Sequence, residues 1–135
     1  MHTEVKESAI SPLQSTPIGR YVHFPIQRVH LELTNACNFD CTFCPKRLMT
    51  RKYGFMETPF AKRIIDQIVE NRIAQKITFH IMGEPFLHRD FFEILAYCRD
   101  KGLPTGITTN GSFLSPDTAQ RLAPLNVSQV NISLQ

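Results

Sequence analysis

Cys37, Cys41 and Cys44 fall within eight residues of one another, separated by three and then two residues. Thiols at that spacing can converge on one metal centre, and cysteine thiolates are the ordinary ligands of iron–sulfur clusters, most of which take four. Here the run supplies three. A [4Fe-4S] cubane held by three thiolates leaves one iron without a protein ligand, and an open coordination position separates a reactive metal site from a structural one. A structural zinc would want a fourth ligand, and no Cys or His follows Cys44 at finger spacing. The fourth cysteine, Cys98, lies at helical spacing from Phe91 and Leu95 and reads as a small core residue.

The pattern Cys-x3-Cys-x2-Cys, with Phe43 just before the last cysteine and the segment Leu31-Glu32-Leu33-Thr34-Asn35 leading into it, resembles the signature of radical S-adenosylmethionine enzymes. The resemblance implies a [4Fe-4S] cluster on Cys37, Cys41 and Cys44, with S-adenosylmethionine chelated at the open iron by its amino and carboxylate groups. One electron from the reduced cluster then yields a 5′-deoxyadenosyl radical that abstracts hydrogen from a substrate. It also implies cofactor contacts. Phe43 would cover the adenine, and Gly83-Glu84-Pro85 is similar to the glycine-glycine-glutamate motif that binds the methionine amino group, with Met82 where the first glycine often stands. Asn110 and Ser133 would lie near the cofactor. An electron donor such as a flavodoxin or ferredoxin, and a small-molecule or peptide substrate, are the partners this implies. The basic loop after the cysteines is similar to that of members with a C-terminal auxiliary-cluster domain, which often modify peptides.

Elements that could position these residues follow in order. Residues 1–27 are polar, with Pro12, Pro17 and Pro25, and are expected to form an extended leader. From Arg28, Val29, Leu31 and Leu33 alternate with His30, Glu32 and Thr34 as in a strand. Thr58-Pro59 signals a helix start, with Thr58 as N-cap and a run to about Arg72. A second strand is expected from Lys76 to Met82. Asp90 should cap a second helix that Gly102 stops, a third strand should span Pro104 to Thr109, and Ser115-Pro116 should open a third helix. Val127 to Leu134 reads as a fourth strand.

Alternating strands and helices of this size imply parallel strands joined by right-handed crossovers. The expected fold is α/β, the first four βα units of an open TIM-like barrel, in residues 28–135. The apolar parity (Leu31, Leu33, Ile77, Phe79, Ile81, Ile107, Val130, Ile132, Leu134) should face the helices. That turns Glu32, Thr34, His80, Glu84, Thr108, Asn110, Asn131, Ser133 and Gln135 inward, a wall far more polar than an ordinary barrel interior. Because the sequence ends on strand four and the family's barrel has six strands, the chain is expected to be the N-terminal half of the core.

Composition narrows the classes. A formal charge of +3 over 135 residues argues for neither a nucleic-acid groove nor a polybasic membrane patch. No apolar run approaches the ~18 residues that span a bilayer, and no signal pattern opens the chain. A cytoplasmic location is expected, since clustered cysteines persist as ligands in a reducing compartment. Lys46, Arg47, Arg51 and Lys52 form a basic connector. It reads as a solvated loop or as a dock for an acidic electron donor or an anionic substrate group. Two other readings stand beside radical chemistry: a cluster-bearing electron-transfer module, and an inactive fragment with an exposed sheet edge.

Overall fold

The computed structural model describes residues 22–134. Four parallel strands form one sheet in the order β1 (Val29–Leu31), β2 (Ile77–Phe79), β3 (Thr105–Thr109) and β4 (Val127–Ile132). Between them run α1 (Thr58–Glu70), α2 (Phe91–Asp100) and α3 (Pro116–Leu122). This is the wall of an open TIM-like barrel.

Register explains the core. Leu31 pairs with Phe79, Phe79 with Ile107 and Ile107 with Val130, so one parity makes a continuous apolar row across the sheet. Ala61, Ile65 and Ile68 of α1 and Phe91, Ile94, Leu95 and Cys98 of α2 bury against that row. Each fully buried aliphatic or aromatic side chain contributes about 1.5–3 kcal/mol. Phe91 sits edge-on to both Phe79 and Phe86, with centroids 5.6 and 5.0 Å away, tying the turn after β2 to α2.

Several boundaries differ from the sequence reading. Of the expected leader, residues 1–21 lie outside the described residues, but Ile26 bridges Ala74 in parallel and exchanges backbone hydrogen bonds with Ile73 and Gln75. Thr58 is the first residue of α1 and not its cap; Glu57 takes that place, and the Thr58 hydroxyl donates to Asp90 Oδ2 at 2.6 Å instead. The Asp90 carboxylate is thereby occupied and makes no capping bond to its own helix. Ser115 does cap α3, accepting from the Thr118 N–H at 3.1 Å.

Strand β2 stops at Phe79. Ile81 adopts φ 142° and is 48% exposed, so it does not face the helices. The alternation continues in sequence, but the backbone turns there to carry Gly83 against the loop after β1. Val130, Ile132 and Leu134 are exposed too. Helix α3 leaves an open groove against Val127 and Val130, and no described helix packs over Ile132 or Leu134. Thr34 is buried, Glu84 is buried yet still lines a cavity, and Gln135 is outside the described residues.

Candidate active site

The cysteine run follows β1 in a loop held by backbone and side-chain bonds to its neighbours. Asn35 accepts from the Gly54 N–H at 2.8 Å and donates to the Lys52 carbonyl at 3.0 Å, while Thr34 donates to the Gly54 carbonyl at 2.7 Å. The Thr34 hydroxyl also accepts from the Ala36 N–H, fixing the chain direction just before Cys37. Across from it, the Glu84 N–H donates to the Ala36 carbonyl at 2.8 Å. This contact requires glycine at position 83, because a Cβ there would lie 2.1 Å from the Thr34 carbonyl oxygen.

Cys37, Cys41, Phe43, Cys44, Gly83, Glu84, Asn110 and Ser133 all line one cavity of about 240 Å³. Its wall also contains Phe39, Pro45, His80, Ile81, Met82, Thr108 and Thr109. All three loop cysteines are free and partly exposed, whereas Cys98 is free and fully buried, well away from them in the core. Larger hollows exist elsewhere, such as the groove of about 420 Å³ beside Glu32 and Phe55, but they contain no cysteine. Chemistry rather than size singles out the cavity.

Glu84 is 1% exposed. Its Oε1 accepts from the Thr109 hydroxyl at 2.8 Å and the Phe86 N–H at 3.3 Å, and Oε2 accepts from the Asn110 N–H at 2.8 Å. A carboxylate offers about four acceptor positions, so one remains on Oε2. Asn110 faces the cysteine loop: its Nδ2 donates to Asn38 Oδ1 at 2.8 Å and lies 3.7 Å from Cys37 Sγ. Its Oδ1 accepts from the N–H and hydroxyl of Ser112, and Ser112 Oγ accepts from Asn38 Nδ2 at 2.9 Å, closing a ring of three side chains. The Ser133 N–H donates to the Thr109 carbonyl, holding that residue at the cavity rim. Phe43 is 63% exposed at the cavity wall.

Thr109, Asn38, Ser112, Ile81 and His80 belong to this neighbourhood and were not singled out as site residues from sequence. Thr109 carried a signal, since it shares the apolar parity of Ile107 yet is polar. His80 meets His30 edge-on at 5.8 Å, and partial desolvation, then the neighbouring His30, push its imidazole below the ordinary histidine range. Ile81 has no such signal; a β-branched residue at positive φ stores strain and tends to cluster at functional sites.

The basic connector is mostly committed. Lys46 is buried and donates to the Phe39 carbonyl, Arg47 pairs with Asp40 at 3.0 Å, and Arg51 forks onto Glu32, which also accepts from the Met82 N–H. Three of the four cations therefore have partners within the chain, while Arg47, Arg51 and Lys52 remain exposed to solvent.

The donor set fits an iron–sulfur cluster. Three free thiols stand around a shared cavity, and N–H groups approach one of them: the Phe39 N–H reaches Cys37 Sγ at 3.5 Å, and the Asn110 amide at 3.7 Å. Such bonds to sulfur are a recognised control on cluster potential. Among the described residues no three Cys, His, Asp or Glu side chains close on a single ion.

Residues 31–135 match the sequence model of the Radical SAM superfamily. The chain belongs to that superfamily. The AdoMet-dependent heme synthase of Nitratidesulfovibrio vulgaris is 32% identical over 104 residues, 76% of this chain and 28% of that protein. Mycofactocin maturase MftC of Mycobacterium tuberculosis is 33% identical over 106 residues, 76% of this chain and 26% of its own length. The chain thus spans less than a third of either relative. Among solved structures, BtrN in complex with AdoMet and 2-DOIA superposes with a TM-score of 0.72 at 25% identity, covering 79% of this chain and 45% of that one. These radical SAM relatives are named as enzymes, and the superfamily's chemistry uses S-adenosylmethionine and an iron–sulfur cluster. No described helix is long and apolar enough to cross a membrane.

Proposed function

We propose that Cys37, Cys41 and Cys44 hold a [4Fe-4S] cluster whose open iron takes S-adenosylmethionine, and that the chain serves a radical hydrogen abstraction. The observation that carries this reading is the convergence of three free thiols with Gly83, Glu84, Asn110 and Ser133 on one cavity in a superfamily member. When bound, the cluster supplies the electron that cleaves the sulfonium to a 5′-deoxyadenosyl radical.

The chain's own residues orient the cofactor. The free acceptor position on Glu84 Oε2 receives the methionine ammonium, an acceptor–cation bond strengthened by charge, and Gly83, packed without a side chain on the Thr34 and Ala36 carbonyls, sets Glu84 in place. Phe43, largely exposed at the cavity wall, lies over the adenine. Asn110 and Ser133 line the same cavity, and the apolar Ile81 and Met82 keep water from the reacting atoms. Three reduced thiols in one loop suit a reducing, cytoplasmic setting with a flavodoxin or ferredoxin as donor. The substrate is a small molecule or a peptide.

The test is anaerobic reconstitution with iron and sulfide, reduction with dithionite, and chromatography for 5′-deoxyadenosine after adding S-adenosylmethionine. Product in the parent and none in Cys41→Ala supports the reading. A stable cluster whose EPR signal ignores S-adenosylmethionine would favour an electron-transfer module, and a folded chain that takes up no cluster would refute both.

A further inference from the structure

We propose that Lys46 sets the electron affinity of the cluster on Cys37, Cys41 and Cys44, an inference that rests on the cluster reading above. Lys46 stands two residues beyond Cys44, in the short 3-10 turn Pro45–Leu48, and only 9% of it is exposed. Buried lysines are rare unless paired with an acid. This one has no such partner: its Nζ donates to the Phe39 carbonyl at 2.6 Å, and among the described residues it enters no ion pair. Phe39 lies between Cys37 and Cys41, and its own N–H reaches Cys37 Sγ. The ammonium is therefore fastened to the peptide stretch that carries the thiolates.

Its neighbours do not cancel it. Asp40 is the nearby acid, and its carboxylate is turned to Arg47, which bonds it at 3.0 Å and holds it below the usual carboxylate range, with a smaller contribution from Lys46. Both partners of that pair are more than half exposed, so solvent screens most of their field. Lys46 remains as the buried cation of the loop. A cluster on three thiolates becomes more negative when it accepts an electron. A fixed cation in a medium less polarisable than water then favours the reduced form, by the same logic that shifts a buried acid beside a cation. Net charge and hydrogen bonding are established controls on cluster potential. A role as mere strut would change how much cluster is retained and leave its potential alone.

The experiment is a redox titration of the cluster-loaded chain, followed by EPR of the reduced cluster with iron and sulfide counted. Parent, Lys46→Gln, Lys46→Arg and protein with Lys46 acetylated at Nζ are compared. Acetylation keeps an N–H for the Phe39 carbonyl and removes the charge while adding an acyl group, and Lys46→Gln removes the charge without that bulk. Both neutral forms should hold parent iron content and be about tenfold harder to reduce, a shift of about 59 mV to more negative potential for one electron, while Lys46→Arg stays near the parent. Loaded neutral forms with an unchanged potential would overturn the proposal. So would neutral forms that stay empty while Lys46→Arg loads, since Lys46 would then be a strut. A parent chain that takes up no cluster, or a Cys41→Ala chain that takes up a normal one, would overturn the cluster reading instead.

Discussion

Gly83 is packed backbone to backbone on Thr34: a Cβ at residue 83 would stand 2.1 Å from the Thr34 carbonyl oxygen and 2.7 Å from that of Ala36. The turn after β2 is thereby pressed onto the segment entering the cysteine loop, and the Glu84 N–H to Ala36 carbonyl bond locks the two together. Backbone cannot swing aside as the tip of a flexible side chain can. Gly83→Ala should therefore destabilise the chain by about 3 kcal/mol, the upper end of ordinary overpacking. Urea denaturation of the metal-free chain checks this, with cluster uptake measured in parallel. A variant with the parent's midpoint would mean that the two loops part freely.

Glu84 joins β3 to the turn after β2. Its bond from Thr109 is buried at both ends, and the same hydroxyl accepts from the Gly111 N–H at 3.1 Å. Thr109→Val leaves a carboxylate oxygen and an N–H short of partners, at a cost of about 1–3 kcal/mol. Glu84→Gln places an NH2 where one oxygen now accepts, with a loss of similar size. Residues that share a bond should not add, so the double variant should fall short of the sum by about 0.5–3 kcal/mol. Strict additivity across the four proteins would show that the bond contributes nothing to folding.

Much of this arrangement was legible in the sequence because local signals and tertiary needs agree. The strand and helix order and the Ser115 cap follow from periodicity and capping chemistry, and the eight residues named from the motifs line one cavity. Where the reading failed, a distant partner decided. Thr58 has the right side chain for a cap, but Asp90, 32 residues away, takes its hydroxyl. Ile81 keeps the apolar alternation, yet the chain must bend there to seat Gly83, and no local pattern encodes that bend. Among the cations after Cys44, Arg47, Arg51 and Lys52 are exposed as a solvated run would be, but Lys46 is buried because the distant Phe39 carbonyl takes its ammonium.

Cys98 should separate from the other cysteines by pH and by reagent. It is fully buried, and burial pushes its thiol up from 9.0 to about 12. The unfolded chain releases this proton near pH 9 while the folded chain keeps it, so the neutral thiol's contribution is complete below pH 9. It is lost as pH rises from 9 towards 12, by up to about 1.4 kcal/mol per unit. Comparing stability in that window with Cys98→Ala, which lacks the group, isolates the effect. In the metal-free chain at pH 8, iodoacetamide should alkylate Cys37, Cys41 and Cys44, which are partly exposed, and reach Cys98 only after unfolding. Native labelling of all four would refute the buried assignment.

Asn110 is the last link between β3 and the cysteine loop. Its amide donates to Asn38 Oδ1 at 2.8 Å and approaches Cys37 Sγ, while its oxygen receives two bonds from Ser112. Asn110→Asp keeps the acceptor and removes both N–H donors. It sets a carboxylate against the Asn38 oxygen and a thiolate, where like charge and an unmet acceptor both oppose closure. Cluster should then leave the loop on the order of tenfold faster when a chelator is added, corresponding to about 1.4 kcal/mol of lost restraint. The stability of the metal-free chain should change far less, because Asn110 lies outside the apolar core. The measurement is the decay of cluster absorbance under chelator, with Asn110→Ala as the neutral comparison. Alanine should fall between parent and aspartate. Equal decay in all three would mean that the ring of Asn38, Asn110 and Ser112 does not restrain Cys37.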